Sequence, residues 1–116
     1  MKLIQLIFLF ILFISNCVAA EFSLVYFPNK LIAHYPPKSS HKDKEITAII
    51  ENKMMSHLIV QVIDGEDNLI KNISILPNKT GSLIFKNQSH QYFVRTIQPA
   101  SGLIELVFSG DKVEIP

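Results

Sequence analysis

Two thioethers and an imidazole close together are the first groups in this chain that could do chemistry. The stretch Glu51-Asn52-Lys53-Met54-Met55-Ser56-His57 holds them within four residues, from Met54 to His57. Thioether and imidazole ligands together suit Cu(I). Met54, Met55 and His57 are therefore the candidate metal ligands. The methionine pair has two plainer uses. Adjacent unbranched apolar side chains in a loop are adaptable contact material, which makes Met54 and Met55 candidate partner contacts. A methionine at a strand entrance also packs under the sheet end as a core plug. The remaining histidines, His34, His41 and His90, are scattered and add no close ligand spacing.

Other chemistry finds little footing. The sequence has no Gly-rich phosphate loop, no G-x-S-x-G nucleophile elbow and no H-E-x-x-H zinc helix. Glycoside hydrolysis needs two apposed carboxylates. Glu45, Glu51 and Glu105 fall on strand-like runs, where charged residues usually form a solvated face. Serine, histidine and carboxylate are all present, but nothing in their spacing sets them in a triad. The expectation is a non-enzyme without a cofactor. A copper- or metal-binding carrier and a small secreted hydrolase are the alternatives.

Cys17 is the only cysteine, and its fate depends on the N-terminus. Met1-Lys2 carries one positive charge, Leu3 to Ile14 is apolar except for Gln5, and Ser15-Asn16 ends the run. A basic start, a short apolar stretch and a small-residue exit describe a secretory signal peptide. As a helix the apolar run rises only about 18 Å, short of a ~30 Å hydrocarbon core. Val18 and Ala20 supply the small side chains needed at −3 and −1, so the cut is expected between Ala20 and Glu21. Cutting after Ala19 is the near alternative, and either cut removes Cys17. Ile14-Ser15-Asn16-Cys17 resembles the bacterial lipoprotein box, but with Asn16 where Gly, Ala or Ser is usual. Membrane attachment is expected only if Cys17 is lipidated or the leader stays uncleaved. The expected location is exported, periplasmic or secreted.

Residues 21–116 are enough for a single domain. Removing the leader takes away Lys2 and leaves acidic and basic residues balanced. That argues against nucleic acid, which calls for clustered positive charge. The mature part has no cysteine and must fold without disulfides. Asn72-Ile73-Ser74, Asn78-Lys79-Thr80 and Asn87-Gln88-Ser89 match the glycosylation sequon. In a chain this rich in asparagine and lysine, with Arg95 as its only arginine, composition accounts for them.

These groups are positioned by short β-branched and aromatic runs separated by turn residues, the pattern of an all-β sandwich or barrel. The expected strands are Phe22 to Phe27, Lys30 to His34, Glu45 to Glu51, His57 to Ile63, Leu69 to Leu76, Ser82 to Phe85, Gln91 to Ile97 and Leu103 to Phe108. Lys112 to Ile115 is a candidate last strand. Period-2 alternation puts Leu58, Val60 and Val62 on one face, Ile73 with Ile75, and Ile104 with Leu106 and Phe108. Half-buried antiparallel strands read this way.

A polar corner from Asn87 leads into the strand that holds Tyr92. This resembles the tyrosine corner of the immunoglobulin-like sandwich, whose hydroxyl bonds backbone just upstream. The slot two residues later holds Val94 in place of a cysteine, so the resemblance implies a disulfide-free version. The expected fold is thus all-β, a small antiparallel β-sandwich with an immunoglobulin-like arrangement as one candidate topology. Its expected role is to bind a protein partner in the cell envelope, with edge strands available for strand addition.

Overall fold

The computed structural model describes residues 20–116; of the expected leader, residues 1–20, all but Ala20 lies outside them, Cys17 included. Each alternating run becomes a strand: β1 (Ala20–Phe27), β2 (Lys30–His34), β3 (Glu45–Asn52), β4 (Leu58–Asp64), β5 (Leu69–Ile75), β6 (Thr80–Lys86), β7 (Tyr92–Gln98), β8 (Leu103–Glu105) and β9 (Lys112–Ile115). A short 3-10 turn, Lys38–Lys42, interrupts the polar connection between β2 and β3.

The strands form a five-stranded sheet, β6-β3-β1-β2-β9, and a four-stranded sheet, β5-β4-β7-β8. One pairing departs from the antiparallel expectation. β1 and β2 form a hairpin, and the segment 35–44 then crosses the end of β1. β3 therefore lies on the far side of β1 and runs parallel to it, with Ala20 opposite Ile46. Alternation could not reveal this, because a strand with one solvated face shows period 2 in either direction. β8 also stops sooner than expected. Leu106 still donates its N–H to the Tyr92 carbonyl at 2.9 Å, but strand geometry ends at Glu105.

The inward sides of the sheets meet in one core. Phe22 and Leu24 of β1, Ile46 and Ile50 of β3, Leu58, Val60 and Val62 of β4, and Val94 of β7 are fully buried. Burial of side chains of this size is worth about 1.5–3 kcal/mol each. Phe22 stacks on Tyr35 with ring centres 5.3 Å apart, and Phe85 meets Tyr92 edge-on at 4.9 Å. One flank is closed where β5 approaches β6. A Cβ on Gly81 would sit 2.8 Å from Ile73 Cδ1 and 3.0 Å from Ile75 Cγ1, so glycine permits the approach.

Strand directions sort the connections into two ends. One end gathers the Pro28-Asn29 turn, residues 53–57, the Pro77-Asn78 turn and residues 99–102. The other gathers the segment 35–44, the Asp64–Asn68 hairpin and the corner before β7. There the Asn87 amide donates to the carbonyls of His41 and Asp43, both at 3.1 Å.

Candidate functional site

The loop between β3 and β4 holds Met54, Met55 and His57, and it is built on Asn52. That side chain is fully buried at the end of β3. Its Nδ2 donates to the Ser56 carbonyl at 2.9 Å and the Ile75 carbonyl at 3.1 Å, while its Oδ1 accepts from the Met54 N–H at 2.9 Å. A buried amide so fully paired fixes the loop, since leaving any of these groups unmade is costly. The backbone adds bonds from Asn52 N–H to the Lys79 carbonyl and from Lys53 N–H to the Tyr26 carbonyl.

This scaffold separates the two methionines. Met54 is 7% exposed and belongs to the core, whereas Met55 is 92% exposed. Met54 is thus the core plug, and Met55 is the member of the pair that a partner can reach. One thioether faces the core and the other faces solvent, so the loop does not turn them toward a common point. His57 is exposed just before β4.

The carboxylates are spread over the molecule. Glu51 pairs with Lys53 at 3.0 Å, and Glu105 accepts from Gln91 Nε2 at 3.2 Å. Glu45 lines a cleft of about 570 Å³ with Asp64, Glu66, Lys71, Lys86 and Tyr92. Its most organised acid is committed to a turn. Asp64 Oδ1 accepts from the N–H groups of Asn68 and Glu66, both at 2.9 Å. The Asn68 N–H foremost, then the Asn68 side chain and the Glu66 N–H, hold that carboxyl below the usual range. Tyr92 is equally occupied: its hydroxyl donates to the Lys86 carbonyl and accepts from the N–H groups of Gln88 and Ser89. Among the described residues, no three His, Cys, Asp or Glu side chains come together in a group that could hold a metal ion.

A second cleft, of about 370 Å³, is walled by residues of both sheets, those of β8 and β9 among them. Tyr26, Leu31, Leu103, Ile104, Ile115 and Pro116 are among its walls. At its base the hydroxyls of Tyr26 and Thr96 share a buried hydrogen bond of 2.8 Å. Burial pushes the Tyr26 phenol up, and the Thr96 bond partly offsets this.

Asn52, Thr96 and this opening were not legible as functional features. Asn52 reads in sequence as a strand breaker, because its partner Ile75 lies far along the chain. The features together define a small two-sheet β protein with exposed apolar side chains at one loop end and along one sheet edge. Comparison with protein-family models, curated proteins and solved structures finds no match to this chain.

Proposed function

We propose that this chain is an exported, non-enzymatic β-sandwich of the cell envelope that binds a protein partner through the loops at one end. The observation that carries the reading is Met55, an unbranched apolar side chain 92% exposed on a loop that Asn52 holds rigid. Such a group adapts to a partner surface, and because the backbone beneath it is already held, the ordering cost is confined to the side chain. Leu76 and Leu103, both exposed, lie at the same end.

An immunoglobulin-like plan supports the choice of that end. β3 and β6 share one sheet while β4, β7 and β8 share the other, as strands B and E against C, F and G do in that fold. β5 lies beside β4, where a C′ strand would. Tyr92 opens the F-like strand and bonds backbone upstream, with Val94 in the cysteine slot. On this plan residues 53–57 are the B–C loop and residues 99–102 the F–G loop, which bind ligand in variable domains. That step is fold-level analogy. The parallel β1–β3 pair and the added strands β2 and β9 depart from the plan.

Affinity capture from the native envelope with the exported protein and its Met55→Ser variant tests the reading. Reduced capture at unchanged melting supports it, and equal capture rejects it. Tight Cu(I) binding by the parent protein that the variant loses would identify a metal carrier instead.

A further inference from the structure

The sheets end in four strand edges, and three of them are protected. β5 and β6 approach each other, with Ile73 and Ile75 packed against Gly81. On β9, the bond from Tyr35 N–H to the Asp111 carbonyl fixes which residues exchange hydrogen bonds with β2. Lys112, Glu114 and Pro116 are left facing the free edge, and charge and proline are the usual guards of an edge.

β8 is different. Leu106 N–H bonds to the Tyr92 carbonyl, so Tyr92/Leu106 and Val94/Ile104 are the bonded pairs of the β7–β8 ladder. The backbone groups of Leu103, Glu105 and Val107 therefore point outward, and among the described residues no strand pairs with that edge. Leu103 is 57% and Val107 39% exposed. Beside the edge lies the cleft of about 370 Å³ walled by Leu31, Leu103, Ile104 and Ile115.

We infer that the free edge of β8 accepts an extended peptide strand with apolar side chains at alternate positions and a lysine or arginine opposite Glu105. The inference rests on the protein-binding reading above. Backbone groups of the added strand pair with Leu103 and Glu105, and its inward side chains fill the cleft between the sheets. Glu105 is the one charge from Leu103 to Phe108 and sets the complementary cation. It also argues against a second copy, because antiparallel pairing centred on Glu105 would place like charges opposite each other.

The test uses the exported protein and a short probe peptide of alternating valine and threonine with a central lysine. Binding is expected to slow amide exchange at Leu103 and Glu105, and a central-glutamate twin is expected to bind about fivefold more weakly. Glu105→Pro removes an outward N–H while sparing the β7 ladder, and is expected to weaken the probe about tenfold. Should that variant fail to fold, Glu105→Lys is expected to reverse the preference to the glutamate probe. Unprotected amides, a charge preference that Glu105→Lys does not alter, or unchanged binding by folded Glu105→Pro overturns the inference. So does a dimer of the exported protein that Glu105→Pro dissolves. Loss of Met55-dependent capture leaves these readouts untouched, so failure of the edge and failure of the loop end are distinguishable.

Discussion

The Tyr92 hydroxyl donates to the Lys86 carbonyl at 2.9 Å, tying the first residue of β7 to the last residue of β6. The same oxygen accepts from Gln88 N–H at 2.8 Å and Ser89 N–H at 2.9 Å. Tyr92→Phe keeps the ring against Phe85 but removes all three of these bonds; Gln88 N–H still reaches the Lys86 carbonyl at 3.1 Å, whereas Ser89 N–H is left without its partner. A loss of about 1–3 kcal/mol is expected. Coincident denaturant melts would show that these bonds add nothing to stability.

The two methionines should respond oppositely. Met54→Ala empties a core site and is expected to cost about 2–4 kcal/mol. Met55→Ala changes a solvent-facing side chain and should stay within about 0.5 kcal/mol. Equal effects in the same melts would contradict the split between core and solvent.

Asn52→Ala removes the group that closes the β3–β4 loop. The buried N–H of Met54 and carbonyl of Ile75 then lose partners, so about 2 kcal/mol or more is expected. Amide exchange at Met54 should accelerate beyond what the global loss accounts for. Protection that falls only in proportion to stability would mean that Asn52 does not hold the loop.

Asp64 makes stability depend on pH. Its carboxyl is held below the ordinary range, chiefly by the Asn68 N–H, so the folded state favours the ionised form. That contribution is present above the unfolded carboxylate range of about 4 and is lost as pH falls through the lowered folded value. Asp64→Asn should therefore flatten the acid limb of the stability curve below about pH 4. An unaltered acid limb would assign the dependence to other carboxylates.

If the proposed leader is cut as its small residues suggest, the product begins at Glu21, and intact-mass analysis checks it. Ala20 is 2% exposed and pairs with Ile46, so this cut takes the first residue of β1. A product that begins at Ala20 would keep that pairing. A lipid-bearing species at Cys17 would place the protein on a membrane.

Much of the architecture was legible because strands carry their own signal. Lys30–His34 and Lys112–Ile115 are strands with the bounds the sequence suggests, and the polar corner before Tyr92 carries the expected backbone bonds. What escaped depends on distant partners. Period 2 states which side chains share a face but not which strand lies alongside, so the parallel β1–β3 pair was invisible. Met54 and Met55 are neighbours in a loop without periodicity, and which one turns inward depends on the bonds that hold this loop to Asn52, Tyr26 and Ile75. The exposed edge of β8 follows from sheet order, which alternation does not encode.

The position of β2, flanked by β1 and β9, bears on how the molecule assembles as its chain emerges. A chain that emerges N-terminus first delivers the β1–β2 hairpin early. That hairpin then waits with both flanks bare until β3 and finally β9 emerge. Two-stranded ribbons are at best marginal in water, so the early hairpin gains little by itself. Closure is dominated by contacts distant along the chain, which slows folding relative to helical proteins of similar size. During that interval the β2 flank is a template for pairing between chains. Deleting residues 112–116 would make the interval permanent, and the shortened protein should aggregate during refolding at concentrations where the parent stays clear.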